Sequence, residues 1–195
     1  VYEYIASGTE DEQTLTENQI AFKRFFLRPR MLRNVNNIST SVSIFGQHLS
    51  MPVLISPAGV HKVAHHDGEI STTIAAKRMR TIMSLSQHAT CTIEEISMAY
   101  DTTKVDVVLK NNSTDQGRLL WYQCYILKDR NITKSLIKRA ERMGYTAIIL
   151  TVDSPRFGFR EADERNNFTG LPPGLSLVNY DMYHKNKTFD HSGYD

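Results

Sequence analysis

An apolar run that ends in a carboxylate and is followed by arginines is the part of this sequence best suited to chemistry. Residues 147–152 have the composition of a buried β-strand, and Asp153 follows at once. Arg156 and Arg160 lie in the turn beyond it. Because chemistry in parallel α/β folds gathers where strands end, Asp153 and Arg160 are placed to meet a small anion. We interpret Arg160 as a carboxylate or phosphate contact, because a guanidinium offers a fixed fork of donors, and Arg156 as surface charge.

A second candidate is the segment 119–125, which is also typical of a strand. Alternation along a strand sends Gln123 and Tyr125 to one face and Tyr122 and Cys124 to the other. If the Gln123 face borders a ligand, a carboxamide and a phenol lie beside that ligand. Equally, Tyr125 could pack at the end of the sheet with its hydroxyl bonded to backbone.

Two further groups of residues admit a functional and a structural interpretation. Small residues at Pro57, Ala58 and Gly59 would let a planar ring approach the backbone closely, although an ordinary turn explains them as well. Imidazoles four residues apart on a helix can share a metal ion. The residues that raise this idea are His61, His65, His66 and Asp67. Because residues 57–68 have the composition of a loop, we assign no metal site there and expect acidic residues to begin a helix instead.

The elements that must position these residues alternate along the chain. We predict a helix at 9–26, a hairpin at 42–49, strands at 51–57, 81–86, 119–125 and 147–152, and helices at 68–79, 92–100 and 132–143. Thr92 with Glu95 is typical of a helix start, and Gly144 of a helix end. Strands that alternate with helices in this way predict a parallel sheet of βα units, with no further unit after Arg160.

Composition limits the classes of function. With 195 residues, one domain is expected, and 23 basic against 21 acidic residues give no reason to expect a nucleic-acid partner. No apolar segment approaches the roughly 20 residues that cross a bilayer, so no membrane partner is expected. Cys91 and Cys124 are predicted to be buried or half-buried thiols rather than a disulfide framework. Because the sequence begins at Val1 rather than methionine, we expect it to begin inside a longer chain.

Five ordered segments resemble the FMN-dependent α-hydroxy-acid oxidases, the family of glycolate oxidase and the (S)-2-hydroxy-acid oxidases. They are YIASG at 4–8, FLRPR at 26–30, AHHDGE at 64–69, YILKDR at 125–130 and LTVDSPR at 150–156. The resemblance implies an α/β fold of the TIM (β/α)8 barrel family, with only about the first four βα units in this chain. It also implies one FMN hydroxy acid dehydrogenase-type domain over residues 1–195, incomplete at its C-terminus and at its N-terminus.

The reaction implied is oxidation of a small (S)-2-hydroxy acid to the 2-oxo acid, with dioxygen reduced to hydrogen peroxide. Hydride transfer and prior carbanion formation stay open as routes. The cofactor implied is FMN. By resemblance, the substrate carboxylate is held by Tyr4 and Arg160, and the substrate hydroxyl by Tyr125. The flavin ring is expected to lie against the backbone of Pro57, Ala58 and Gly59, and its polar edge to bond Ser86, Gln123 and Thr151.

Asp153 matches a carboxylate that pairs with a catalytic histidine and favours its protonated form. In the family that histidine lies in the second half of the barrel, and none of the seven histidines here lies in a matching motif. We therefore expect that the chain as written does not turn over alone. His88 occupies a position that often holds a tryptophan lining the substrate pocket, and extra residues follow Tyr100, so substrate size stays open.

Two alternatives to the oxidase are a catalytically inactive half-barrel that acts as a binding or assembly module, and a dehydrogenase that passes electrons to a protein acceptor. The resemblance implies a homo-oligomer at full length. It also implies a peroxisomal location, although no targeting tripeptide is visible at Asp195, and a cytoplasmic location is the alternative.

Overall fold

Helices and strands alternate along most of the chain. The structure, a computed structural model, describes residues 1–105, 117–153, 158–181 and 183. The elements before residue 80 are α1 (Tyr2–Ala6), α2 (Gln13–Ile20), β1 (Val42–Ile44), β2 (Gln47–Leu49) and α3 (Glu69–Met79). The later ones are β3 (Met83–Leu85), α4 (Ile93–Thr102), β4 (Leu120–Cys124), α5 (Arg130–Arg142), β5 (Ala147–Leu150), α6 (Glu161–Arg165) and α7 (Val178–Asp181). Short 3₁₀ turns cover Ala21–Arg24 and His61–Val63.

The described residues divide into two compact units. Unit 1 contains residues 1–39 and 158–172, and unit 2 contains residues 40–153 and those from 173 onward. Unit 2 holds both sheets and the helices α3, α4, α5 and α7. The single domain over residues 1–195 stays a prediction.

A parallel sheet of three strands, in the order β3-β4-β5, forms the centre of unit 2. Leu85 pairs with Tyr122, and Cys124 pairs with Leu150, so all three strands end at the same edge. The predicted first strand, 51–57, is wrong in extent, because only Ile55 bridges to Met83. Prolines at 52 and 57 lack the N–H that a ladder requires, which confines any pairing to the four residues 53–56.

The two faces of this sheet pack against different groups. Leu120, Tyr122 and Cys124 belong to a core built with helices α3, α4 and α5. Trp121 on the other face packs with Leu49 of the hairpin. The prediction that Tyr122 and Cys124 point to the same face of the strand is confirmed. Cys124 and Cys91 are both buried.

Strand β5 corrects one prediction. The prediction of a buried strand over 147–152 is wrong in extent and in burial, because β5 ends at Leu150, and Ile148 and Leu150 are 43% and 47% exposed. Both face the same side as their β4 partners Tyr122 and Cys124. In the described sheet β5 pairs only with β4, and helix α5 packs in the core that β3 and β4 build. Described residues therefore cover this side of β5 only in part.

Local sequence signals explain the element ends. Thr92 accepts from the Glu95 backbone at 3.0 Å while Glu95 accepts from the Thr92 backbone at 2.6 Å, so the predicted start of α4 is confirmed. The predicted helix 9–26 is wrong at both ends, because α2 ends at Ile20 and the 3₁₀ turn after it ends at Arg24. The Gly8 N–H donates to the Glu12 carboxylate at 2.9 Å, and Glu12 itself has φ 55, so α2 begins only at the next residue.

Outside these elements, two observations bear on the earlier predictions. No described helix is both long and apolar enough to cross a membrane. The extra residues predicted after Tyr100 lie largely at 106–116, outside the described residues. Arg156 also lies outside the described residues.

Candidate active site

The carboxyl ends of the three parallel strands carry a continuous row of polar side chains. Ser86 follows β3, Gln123 is the last residue but one of β4, and Thr151 follows β5. The Ser86 hydroxyl donates to Gln123 Oε1 at 3.3 Å, and Gln123 Nε2 donates to Thr151 Oγ1 at 2.9 Å. The structure therefore brings together Ser86, Gln123 and Thr151, which we call the polar row.

The hydrogen bonds fix how the polar row can serve a ligand. Gln123 Oε1 also accepts from the Gln87 backbone at 3.2 Å, so both ends of the carboxamide are oriented. Ser86 and Gln123 are buried, whereas Thr151 is half-buried. Because a hydroxyl can accept and donate at once, Thr151 keeps a donor while it accepts from Gln123. The Ser86 Oγ also accepts from the His88 N–H at 3.1 Å, so the row offers a ligand one Gln123 Nε2–H and the Thr151 O–H as donors, and one lone pair of Ser86 as acceptor.

Pro57, Ala58 and Gly59 follow the Ile55 bridge at the same edge of the sheet. Ala58 is exposed. A Cβ at Gly59 would lie 3.0 Å from the Cβ of His88 and 3.1 Å from its carbonyl oxygen. The close approach of His88 thus explains why this position is glycine, independently of any ring packed on the backbone.

Tyr125 is the residue immediately after β4, and its ring stacks on an imidazole. The ring centroids of Tyr125 and His88 are 5.2 Å apart at an interplanar angle of 22°. The Tyr125 N–H donates to Gln87 Oε1 at 2.7 Å. The phenol is half-buried, so it lies at the surface of this strand edge rather than within the core.

Asp153 is exposed and lies beyond the end of β5. The next four residues, 154–157, are outside the described residues. Its pairing with a histidine stays a prediction.

In unit 1, Tyr4 and Arg160 meet although they are 156 residues apart. Arg160 Nη2 donates to the Tyr4 carbonyl at 2.5 Å, and the guanidinium carbon lies 5.2 Å from the centre of the Tyr4 ring. Arg160 Nε also donates to Asp163 at 2.6 Å, and Tyr4 stacks on Phe168 at 4.8 Å. Sequence reasoning missed Asp163, although its spacing of three from Arg160 on a helical segment was a usable signal.

Glu69, one of the acidic residues expected to begin a helix, is the first residue of α3. It is fully buried and accepts from the backbones of His61 and Thr90, each at 3.0 Å. Burial alone would raise the pKa of Glu69, but these backbone hydrogen bonds outweigh it, and the pKa lies below the usual value. Glu69 thereby ties the turn at His61–Val63 to the loop that follows β3. No periodicity in the sequence marks a residue with this task.

Of the three histidines that suggested a metal, His61 is half-buried with its Nδ1 3.2 Å from Thr72 Oγ1, and the other two lie at the surface. His65, His66 and Asp67 are exposed, with possible ligand atoms within 4.8 Å of one another. His66 Nε2 lies 3.2 Å from the Asp67 carboxylate.

The chain matches known proteins over almost its whole length. Residues 1–192 match the model of the FMN-dependent dehydrogenase family. Glycolate oxidase 3 of Arabidopsis thaliana is 45% identical over 181 residues, which are 93% of this chain and 45% of that protein. The chain thus spans about half the length of the curated relatives it matches.

Solved structures agree with this match. A mandelate oxidase variant with (S)-mandelic acid superimposes with a TM-score of 0.78 at 29% identity, over 92% of this chain and 48% of that one. A variant of (S)-mandelate dehydrogenase gives the same TM-score and identity, over 92% of this chain and 46% of that one. The predicted resemblance, the partial TIM-barrel fold and FMN as the cofactor of the family are confirmed. These matches do not favour an inactive binding module.

Proposed function

Because this chain belongs to the FMN-dependent dehydrogenase family, we propose that it carries flavin-binding and substrate-binding residues of a (S)-2-hydroxy-acid oxidase. The reaction proposed is oxidation of a small 2-hydroxy acid, glycolate or a longer homologue, to its 2-oxo acid, with dioxygen reduced to hydrogen peroxide.

The polar row is the observation that carries this proposal. It places one carboxamide and two hydroxyls in a hydrogen-bonded line across three strand ends, where ligands of parallel α/β folds bind. That donor set fits the amide-like edge of a flavin. In the proposal, Ser86, Gln123 and Thr151 hold this edge, and the backbone of Pro57, Ala58 and Gly59 lies against the ring.

The remaining residues act on the substrate. Tyr125 donates a hydrogen bond to the substrate hydroxyl, and Tyr4 and Arg160 bind its carboxylate. Asp153 stabilises the protonated form of a histidine base that takes the hydroxyl proton, because a nearby carboxylate favours an imidazolium. We assign none of the chain's seven histidines as that base. When bound, FMN supplies the acceptor for the two electrons that leave the α-carbon.

The nature of the electron acceptor is the part of the proposal that needs its own test. One similar solved structure is a dehydrogenase rather than an oxidase, so transfer to an acceptor other than dioxygen is the second candidate. Stoichiometric hydrogen peroxide in air supports the oxidase. Substrate consumption without peroxide, and only with an added acceptor, supports the dehydrogenase.

Anaerobic flavin reduction tests the reaction class. The purified chain is mixed with FMN and glycolate or (S)-lactate, and the loss of the visible flavin absorbance is followed. Bleaching would mean that this chain holds all the reacting groups, against the expectation that it does not turn over alone. Saturable FMN binding without bleaching supports the flavin site and excludes turnover by this chain alone. Absence of FMN binding contradicts both the flavin site and turnover.

We further propose that residues 1–195 belong to a single FMN hydroxy acid dehydrogenase-type domain of a homo-oligomeric, peroxisomal enzyme. The identity to plant glycolate oxidases supports this. Sedimentation of the protein and microscopy of a fluorescent fusion test the assembly and the location.

A further inference from the structure

A second buried carboxamide lies beside the polar row, and the proposed chemistry does not use it. Gln87 is fully buried. Its Oε1 accepts from the Tyr125 backbone at 2.7 Å, and its Nε2 donates to the Tyr180 hydroxyl. The Gln87 side chain therefore spans from the residue after β4 to helix α7. Both of its ends are occupied, so the side chain cannot turn without losing a buried hydrogen bond.

Helix α7, which carries Tyr180, is fixed to the core of unit 2 by its neighbour Asn179. Asn179 is fully buried, accepts from the Ile93 backbone at 3.2 Å and donates to the Cys91 carbonyl at 3.1 Å. Tyr180 is thereby held at a definite place relative to the strand ends.

A ring contact reinforces the hydrogen-bonded connection. The centroid of Tyr180 lies 5.7 Å from that of His88, and His88 stacks on Tyr125. Tyr180 thus reaches the main chain of Tyr125 through Gln87 and its ring through His88.

We propose that Tyr180, acting through Gln87, is a positioning residue that fixes the phenol of Tyr125 at the end of β4. The inference rests on the proposed role of Tyr125 toward the substrate hydroxyl. In this proposal, the segment 177–181 supports the substrate site, and none of its residues needs to touch the substrate. Positioning matters because a displacement of about 1 Å at a reacting group can cost on the order of a hundredfold in rate.

The substitution Tyr180→Phe tests the connection in the chain as it exists. It keeps the ring against His88 but removes the acceptor of Gln87 Nε2. We expect the Tyr125 amide to exchange with solvent on the order of tenfold faster, since a buried donor without its partner loosens the side chain that holds this amide. The amide shift of Tyr125 should also move, measured by NMR on the ¹⁵N-labelled protein. Gln87→Met, which removes both hydrogen bonds, should have the larger effect.

A matched control comes from the same stretch of chain. Tyr183 also hydrogen-bonds through its hydroxyl, to Ser135 at 2.5 Å on helix α5. Tyr183→Phe should leave the Tyr125 amide within about twofold of the original exchange rate, because the Gln87 carboxamide bonds the Tyr125 N–H and the Tyr180 hydroxyl rather than Tyr183.

Two outcomes overturn the inference: an unchanged Tyr125 amide in Tyr180→Phe, or an equal change in Tyr183→Phe. If Gln87→Met does not fold, Tyr180→Phe decides alone. The exchange measurement needs no flavin. Failure of the chain to bind FMN would therefore count against the proposed function and leave the Gln87 connection standing, whereas an unchanged amide would remove the connection and leave the flavin proposal intact.

Discussion

At the scale of single residues, Gln123 is the centre of the proposed flavin site. Its carboxamide accepts from Ser86 and donates to Thr151, so one side chain orients both hydroxyls. In Gln123→Met, neither hydroxyl keeps this partner and the amide contact to a flavin is lost. We expect FMN to bind at least about tenfold more weakly, equivalent to one or two hydrogen bonds, as measured by quenching of flavin fluorescence.

A second glutamine provides the control for that substitution. Gln47 bonds Thr146 and the Arg118 carbonyl at 2.8 Å and accepts from Trp121 at 3.0 Å, near the amino ends of β4 and β5. Gln47→Met removes an equally well bonded carboxamide from the opposite end of the strands. It should weaken folding without changing FMN affinity, and equal affinities for both variants would contradict the assignment of Gln123.

At the scale of elements, Arg160 joins α1 to α6 within unit 1. Its guanidinium serves the Tyr4 carbonyl and Asp163 at once, which a single ammonium cannot reproduce. In Arg160→Lys, we expect the amides of α1 to exchange faster, while those of β3, β4 and β5 stay unchanged. Hydrogen exchange with mass spectrometry measures both.

The control for Arg160 is Arg165, whose exposed ion pair with Glu161 lies on the same helix. Arg165→Lys should leave α1 unaffected, since exposed pairs contribute about 0.3–0.5 kcal/mol. Equal effects of the two substitutions on the exchange of the α1 amides would contradict the role of Arg160 in joining α1 to α6.

The pairing of α4 with α5 gives a pH dependence. The hydrogen bond from Arg139 is the chief reason that the pKa of Glu94 lies below its usual value of 4.5. A carboxyl group with a lowered pKa in the folded state contributes stability above the unfolded pKa, and that stability is lost as the pH falls through the folded value. Glu94→Gln should therefore lower the free energy of unfolding by about 1 kcal/mol or less at neutral pH, because Glu94 is partly exposed. The difference in stability between this variant and the original chain should shrink below pH 4.5.

Urea denaturation at pH 7 and at acid pH measures this difference. Glu17→Gln, which removes an exposed pair with Arg24, is the reference. A constant gap between Glu94→Gln and the original chain at all pH values would contradict the assignment.

Elements were predictable from the sequence where one local signal decides them. The capping box of Thr92 and Glu95 and the left-handed Gly144, with φ 74, fix helix ends by neighbouring residues alone. The exposure of Ile148 was not predictable, because an apolar strand gives no information on which of its faces other elements cover. Gln123 could be placed on a face by alternation, but its partners lie 37 and 28 residues away, and Gln87 carried no motif at all.

At the scale of the whole molecule, the buried thiols report on the integrity of the fold. Burial is the main cause that raises the pKa of Cys91 to about 11, and it also raises the pKa of Cys124. Since the thiolate is the reactive form, both should resist iodoacetamide at pH 8 until the chain opens. Saturating FMN should slow labelling further if it binds the folded state, and rapid labelling of the native chain would contradict this core.

The central claim is that the flavin binds at the carboxyl ends of the three parallel strands, and chemical-shift mapping with FMN tests it most directly. We expect saturable shifts at the amides of Gly59, Ser86, Gln123 and Thr151, with the amides near Gln47 at the other end of the strands unchanged. Saturable shifts confined to another region, or no shifts at millimolar FMN, would contradict the claim.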